Sequence, residues 1–280
     1  MDYKEELKSF TEKYSYSEIS AGGGNWRYVL GGKGLGRTIV LLNGGTNVSE
    51  MWMNYLDDLS KKFQVLIFDY PIELKTNEEL VAGMNEFFKK LNIYMPILIG
   101  ASYGGYVAQI YTKKYPDSVG NLILLSTGAI DKSTIKTLKR QYFFAPALLL
   151  FMKHCNYEKM KKVTVKKCRK YTKNESAEVQ AYADEMFTSI FKDYKREKDI
   201  HITGLLIDLL NQTPATAETF QGLKGKILMI LPKNDFFSSK MQKALSNLMG
   251  NPKTIVINGC HISTVLDYKM YIKEILDFLG

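Results

Sequence analysis

The sequence of 280 residues is poor in cysteine and histidine, with three of each. Cys155, Cys168 and Cys260 are odd in number and lack the spacing of metal ligands, which argues against a disulfide framework and a zinc site. Reduced thiols are typical of proteins in a reducing compartment. We therefore expect a cytoplasmic protein.

Long apolar runs are also absent. The longest, 142–152, contains Pro146 and is shorter than the roughly 20 residues that a membrane span needs. Residues 1–10 mix charges and lack the apolar region of a signal peptide. We expect no stable membrane insertion, and an apolar content of 45% suffices for one sizeable core with a smaller appended layer.

Acidic residues are scarce in one part of the chain. The formal net charge is +9, and residues 132–214 hold 17 Lys and Arg against 9 Asp and Glu, so the remainder is almost neutral. A basic surface can bind nucleic acid, an anionic membrane or acidic ligands. The run 159–173 interleaves lysines with Val163, Val165 and Tyr171, which is typical of a solvated helix face. We favour that interpretation, keep a preference for acidic ligands as its alternative, and predict no nucleic-acid partner.

Short apolar runs recur along the chain with helical patterns between them. Runs of β-branched residues and leucine, without polar alternation, indicate strands buried on both faces of a parallel sheet. Segments 16–20 and 26–30 are predicted to form a hairpin at a sheet edge. The sequence thus predicts an α/β fold: a mostly parallel central sheet with helices on both faces. The six predicted buried strands are 38–42, 65–68, 97–99, 122–125, 227–231 and 254–257.

The helical patterns have recognisable ends. Thr76 and Glu79 fit a capping box, and Pro116 ends the helix that follows Ser102. A last helix is expected from about Thr264. Between 126 and 213 no strand is predicted, so we interpret 131–214 as a helical insertion that divides the core into 1–130 and 215–280.

The strongest motif is the pentapeptide Gly100-Ala101-Ser102-Tyr103-Gly104. It directly follows a predicted strand and opens a predicted helix, as a nucleophile elbow requires. A sharp turn lifts the serine oxygen clear of the backbone, and glycine at 100 and 104 tolerates the close approach of neighbouring elements. Ser102 is the predicted nucleophile; the alternative is a serine that only caps the helix.

A serine hydroxyl needs a base. His261 follows the predicted strand 254–257, so it reaches the same edge of a parallel sheet as Ser102. His154 and His201 lie in the insertion and are interpreted as structural. Asp235 follows strand 227–231 at that edge and is the predicted acid.

Two other carboxylates are candidates for the acid, and the loop 43–46 is a candidate for binding the oxyanion. Asp131 is the main rival of Asp235, and Asp69 is interpreted as structural. Donors for a developing oxyanion are expected from the N–H groups of Tyr103 and Gly45, with Thr46 as the alternative to Gly45. A plain turn at 43–46 is the simpler alternative.

These motifs, in the order serine, acid, histidine, resemble the α/β-hydrolase superfamily, in its serine-nucleophile branch with a helical cap inserted after the sixth strand. The resemblance covers nearly the whole chain. Two positions depart from the commonest pattern: Asn43 stands where histidine is frequent, and Cys260 where glycine is frequent. The resemblance implies that 131–214 shapes a substrate pocket.

The implied reaction is two-step acyl transfer through an acyl-enzyme, for which no metal or cofactor is needed. A small carboxylic ester is the expected substrate. Thioester, peptide and carbon–carbon bond cleavage remain alternatives, as does a non-catalytic ligand-binding protein of the same fold. Phe143, Phe144 and Leu148 could line the pocket or simply pack the cap on the core, and the sequence does not fix the oligomeric state.

Overall fold

The computed structural model describes residues 2–32 and 36–280. These residues contain one sheet of eight strands. The strands are β1 (Ser17–Ala21), β2 (Gly24–Gly31), β3 (Thr38–Leu42), β4 (Gln64–Phe68), β5 (Ile97–Ala101), β6 (Asn121–Leu125), β7 (Ile227–Asn234) and β8 (Lys253–Cys260).

The strand order is β1-β2-β4-β3-β5-β6-β7-β8. The first two pairings, β1 with β2 and β2 with β4, are antiparallel, and every later pairing is parallel. The predicted mostly parallel sheet and its edge hairpin are therefore confirmed. The carboxyl ends of β3, β5, β7 and β8 lie at one edge of the sheet, where loops after parallel strands meet.

Twelve α-helices surround the sheet within the described residues. They are α1 (Tyr3–Lys13), α2 (Met53–Leu59), α3 (Asn77–Lys90), α4 (Tyr103–Lys114), α5 (Lys132–Gln141), α6 (Ala145–His154), α7 (Tyr157–Cys168), α8 (Ala177–Lys192), α9 (Arg196–Asp208), α10 (Ser239–Leu248), α11 (Ser263–Leu266) and α12 (Tyr268–Leu279). None of the helices in this part of the chain is both long and apolar enough to cross a membrane.

The core forms two layers, one on each face of the sheet. Successive side chains of a strand point to opposite faces, so Val40 and Leu42 pack on one side while Ile39 and Leu41 pack on the other. Helices α3, α4 and α10 cover the first face, and α1, α2 and α12 cover the second. Continuous apolar runs are thus required because both faces of these strands are buried.

The ends of several helices follow from local hydrogen bonds. Thr76 Oγ1 accepts from the N–H of Glu79, and the Glu79 carboxylate accepts from the N–H of Thr76, which confirms the capping box of α3. Helix α4 ends at Lys114, two residues before Pro116. The expected last helix is interrupted at Asp267, which separates α11 from α12.

The segment between β6 and β7 folds as helices α5 to α9, with no strand in its described residues. Helix α9 inserts Ile202 and Leu205 into the core layer of α3 and α4. Helix α8 inserts Met186 and Phe187 into the layer on the opposite face. The inserted helices are therefore held against both core layers, above the edge where β3, β5, β7 and β8 end.

Candidate active site

Ser102 lies at the sharp turn between β5 and α4. Its backbone has φ 54° and ψ −117°, a region that non-glycine residues rarely occupy and that costs on the order of 1–3 kcal/mol. A Cβ on Gly104 would lie 2.1 Å from the carbonyl oxygen of Leu42, and one on Gly100 would lie 2.3 Å from that of Gly104. The two glycines allow the turn to pack this closely, and the turn holds Ser102 half-buried at the sheet edge.

His261 reaches Ser102 from the end of β8. Its Nε2 lies 3.0 Å from Ser102 Oγ. The turn that carries it is tight, since a Cβ on Gly259 would lie 2.3 Å from Ser263 Oγ, which accepts from the N–H of Cys260 at 2.8 Å. Glycine at 259 and serine at 263 therefore fix where the imidazole points.

Asp235 follows β7 and completes the contact on the other side of the ring. Its Oδ1 lies 2.8 Å from His261 Nδ1 and also accepts from the N–H of Phe237 at 3.2 Å. The carboxylate is fully buried, and the imidazole is 11% exposed. Because a carboxylate can only accept, Nδ1 carries the ring proton and Nε2 presents its lone pair to Ser102. The structure thus brings together the three side chains predicted as nucleophile, base and acid.

The two rival carboxylates are engaged elsewhere. Asp131 is the N-cap of α5 and accepts from the N–H of Thr134 at 2.8 Å. Asp69 accepts from Arg27 at 3.1 Å and from Lys198 at 3.2 Å. Neither contacts His261 in the described part of the chain.

The loop after β3 passes beside Ser102. A Cβ on Gly44 would lie 3.6 Å from the Cβ of Ser102, while one on Gly45 would meet only Leu206, at 3.8 Å. Among the described residues, no backbone acceptor is found for the N–H of Gly45 or for that of Tyr103, the first residue of α4. The N–H of Thr46, the alternative to Gly45, likewise has no acceptor among the described residues, so both alternatives stay available in this loop. The N–H of Tyr103 lies at a helix N-terminus, which favours negative charge.

Two asparagines hold this loop, a feature that the sequence motifs did not single out. Asn43 is buried and donates from Nδ2 to the carbonyl of Phe68 at 2.7 Å. Asn47, with φ 50°, exchanges hydrogen bonds with the backbone of Tyr70, and the Tyr70 hydroxyl donates to the carbonyl of Asn43 at 2.8 Å. The loop is thereby fixed to the end of β4. In the sequence, the two asparagines four residues apart are the feature that could have indicated these contacts.

Tyr103 has a second role besides its backbone N–H. Its buried hydroxyl donates to Asn77 Oδ1 at 2.7 Å, and burial raises its pKa well above the usual value. Asn77 donates in turn to the carbonyl of Leu205 and to Asp208, both in α9. This network joins the serine turn to the inserted helices.

The inserted segment also contacts the loop after β3. The hydroxyl of Tyr194 donates to the carbonyl of Thr46 at 2.5 Å. Lys198 of α9 pairs with Asp69, which also accepts from the N–H of Ser49. The helices between β6 and β7 are therefore hydrogen-bonded to the loop that carries Gly45.

Aromatic side chains surround the imidazole. The ring of Phe236 lies 4.0 Å from that of His261 between centroids, and those of Phe237 and Tyr171 each lie 5.8 Å away. Burial raises the pKa of Tyr171, with smaller contributions that include nearby Asp235. Phe236 and Phe237 directly follow Asp235, so their place in the sequence could have indicated that they lie beside His261. Tyr171 comes from the inserted segment, and no sequence feature indicated this contact.

The residues proposed from sequence for the pocket are exposed on and before α6. Phe143, Phe144 and Leu148 are exposed, and their described ring contact is between Phe143 and Phe144 themselves, at 5.2 Å. The structure does not bring them into contact with Ser102 or His261.

Neither of the other histidines, nor the thiol of Cys260, takes part in the described contacts of Ser102, His261 and Asp235. His201 is buried, shares a hydrogen bond of 2.7 Å with the carbonyl of Leu74, and has its pKa lowered by burial. His154 is exposed at the end of α6. Cys260 is buried, and burial raises its pKa. In the described residues no group of three or more His, Cys, Asp or Glu side chains is arranged to hold a metal ion.

Comparison with known proteins agrees with this architecture. A family model described as alpha/beta hydrolase fold matches residues 37–154. An alpha/beta hydrolase, MGS-M2, from a Medee basin deep-sea metagenome library is 18% identical with a TM-score of 0.75, and the match covers 94% of this chain and 97% of that one. The enol-lactonase of Burkholderia xenovorans LB400 is 19% identical with a TM-score of 0.73, over 94% of this chain and 99% of the other.

A thermophilic esterase from Thermogutta terrifontis is also similar. It is 16% identical with a TM-score of 0.71, over 95% of this chain and 98% of that one. At such identities the likeness concerns the course of the chain, and the activity has to be argued from the residues at the sheet edge.

Proposed function

This chain has the α/β-hydrolase fold, and on that premise we propose that it is a serine hydrolase that cleaves a small carboxylic ester. The observation that carries the proposal is the continuous contact from Ser102 Oγ through His261 to the buried Asp235 carboxylate, at 3.0 and 2.8 Å. Ser102 is the nucleophile, His261 the base and Asp235 the acid. Helix capping alone would not account for a serine in contact with an imidazole that a carboxylate orients.

In the proposed first step, His261 Nε2 takes the hydroxyl proton as Ser102 Oγ attacks the ester carbonyl. Asp235 stabilises the imidazolium that forms, and because its side chain is excluded from solvent this attraction is weakly screened. The N–H groups of Tyr103 and Gly45 receive the oxyanion. His261 then gives the proton to the departing alkoxide, and an acyl-enzyme on Ser102 remains.

In the second step, His261 removes a proton from water, which attacks the acyl-enzyme; as the bond to Ser102 Oγ breaks, His261 returns this proton to Oγ and the acid is released. The rigid loop that carries Gly45 supports this route, because oxyanion donors act best when they are already oriented. No step requires a metal or an organic cofactor. The elbow carries serine rather than the aspartate of dehalogenases and epoxide hydrolases, which favours acyl transfer.

The helices of 131–214 are proposed to act as the cap of this site. Support comes from Tyr171, whose ring lies beside His261, and from Tyr194, which donates to Thr46 in the oxyanion loop. With Phe236 and Phe237 they give the acyl group a largely aromatic surrounding, and small-molecule sites are mostly apolar in this way. We therefore replace Phe143, Phe144 and Leu148 with these residues as the proposed pocket lining.

The test is labelling with a fluorophosphonate, which reacts with an activated serine. The wild type should label and the Ser102→Ala variant should not, whereas Ser118→Ala, at a half-buried serine away from the site, should label normally. Hydrolysis of matched oxygen esters, thioesters and peptides then ranks the substrate classes. A folded wild type that neither labels nor turns over any of them would favour the non-catalytic ligand-binding alternative.

A further inference from the structure

A group of large apolar side chains is exposed on the inserted helices. Phe143 and Phe144 are 76% and 78% exposed, and Leu150 and Phe151 are 61% and 60% exposed. Tyr142 and Leu148 are exposed beside them. Single exposed apolar residues are ordinary, but a contiguous set of this kind marks a binding surface.

The spacing places three of these side chains on one side of α6, while Tyr142 and Phe143 precede the helix. Phe144, Leu148 and Phe151 follow an i, i+4, i+7 pattern, which is one stripe of a helix. Met152 is buried on the other side, where α6 packs against α9. The exposed stripe has no partner among the described residues.

Positive charge is concentrated in the segments that precede and follow the stripe in the sequence. Residues 132–173 contain 13 Lys and Arg but only one acidic residue, Glu158, whereas residues 174–214 contain four basic and eight acidic residues. Within the described residues, only Lys161 and Arg169 of the 13 form ion pairs. The net charge of the insertion is therefore concentrated on α5 to α7 and the turn that follows, the same part of the chain that carries the apolar stripe.

We propose that α5 to α7, with the exposed apolar side chains of segment 142–151, form a docking surface for an anionic lipid surface. Aromatic and leucine side chains of a basic helical segment enter the boundary between headgroups and acyl chains, while lysines around them meet anionic headgroups. The attachment is peripheral and reversible, since α6 has only ten residues.

The combination of groups selects this partner. Nucleic acid would use the lysines but would leave the leucine and phenylalanine side chains of α6 in water, whereas a lipid surface accommodates both. Tyr171, in the turn after α7, lies 5.8 Å from the His261 ring, so the docking surface borders the candidate active site.

The experiment is co-sedimentation of the full chain with phosphatidylcholine vesicles and with vesicles that also contain phosphatidylglycerol. The wild type should bind the anionic vesicles, and high salt should weaken binding strongly because the Debye length shortens. Ser102→Ala should bind equally, which separates docking from any capture of lipid at the active site.

Two sets of variants test the two halves of the surface. Replacing Lys159, Lys162, Lys166 and Lys167 with Gln should reduce partitioning on the order of 100-fold, whereas the same change at the exposed Lys224, Lys226, Lys240 and Lys243 should have little effect. The Phe143→Ser/Phe144→Ser/Phe151→Ser variant should lose at least about tenfold, whereas Tyr94→Ser, at an exposed tyrosine outside the insertion, should not.

Several results would overturn the proposal. Absence of wild-type binding to anionic vesicles is one, and equal loss in the cap and control variants is another. Tighter binding to duplex RNA than to vesicles would assign the surface to nucleic acid. A dimer that the phenylalanine variant dissociates, with no vesicle binding, would assign it to a second copy. If a variant fails to fold, the dependence of wild-type binding on salt and on phosphatidylglycerol content still tests the proposal.

Discussion

Asp235→Asn is the change that most directly tests the proposed mechanism. The Asp235 side chain is fully buried and its Oδ1 accepts from both His261 Nδ1 and the N–H of Phe237. Asparagine fills the same space but carries no charge, and its amide can donate to Nδ1. The ring would then carry its proton on Nε2, where it could not take the proton of Ser102.

The expected loss follows from the geometry. In the transition state the imidazolium lies 2.8 Å from a carboxylate that solvent does not reach, and both the tautomer and the charge depend on that contact. We expect kcat to fall on the order of 10⁴-fold, about 5.5 kcal/mol of barrier. Ser102→Ala and His261→Ala should cost more, because the pair acts as one unit.

The assay is kcat/KM for a small chromogenic ester, with folding verified by circular dichroism. Asp131→Asn is the matched control, because Asp131 caps α5 and asparagine caps a helix equally well. Its activity and stability should stay near those of the wild type. If the Asp131→Asn variant were inactive and the Asp235→Asn variant active, the acid would have been assigned to the wrong residue.

Three further predictions concern the loop after β3, a buried histidine and the charge of the inserted helices. Gly45→Pro removes one N–H and should lower kcat roughly 10²–10³-fold in steady-state kinetics; near-normal turnover would move the donor to Thr46. Burial lowers the pKa of His201 from 6.5, so the unfolded chain takes up a proton first and the free energy of unfolding falls as the pH drops below about 6.5. In thermal melts over this range, the His201→Gln variant should lose less stability than the wild type. An equal loss in the two proteins would show that His201 is not the group responsible. If the basic residues face solvent or lipid rather than the reacting acyl group, kcat/KM values of matched neutral and anionic soluble esters should respond alike to salt without vesicles, and a salt effect confined to the anionic ester would indicate an acidic substrate.

The central sheet could be predicted because its signal is local. A strand buried on both faces needs an unbroken apolar run, and all six predicted runs lie within β3 to β8. The strand ends were less accessible: β7 continues to Asn234 and β8 to Cys260, both beyond the apolar run. These ends are set by backbone pairing, which has a register shift near Pro232. Such pairing leaves no pattern in the polarity of the side chains, so the sequence does not indicate where the strands end.

The contacts of Ser102, His261 and Asp235 follow from topology. Each residue comes just after a strand whose carboxyl end lies at one edge, so the sheet itself gathers residues that are 159 and 26 positions apart. The departure at Asn43 could not be interpreted from sequence. In the structure its amide joins the loop after β3 to Phe68 at the end of the neighbouring β4, a contact that only the folded sheet creates.

The pocket could not be predicted for a different physical reason. An apolar run such as 142–152 indicates that its side chains favour burial, but it does not indicate whether they are buried against the core, a substrate or another surface. The core face of the insertion is supplied by α8 and α9, through Met186, Phe187 and Ile202. Once those helices fill the space above the sheet, α6 is left outside with its stripe exposed. The residues that the sequence suggested for an acyl pocket are exposed in the structure, where they belong to the apolar half of the proposed docking surface.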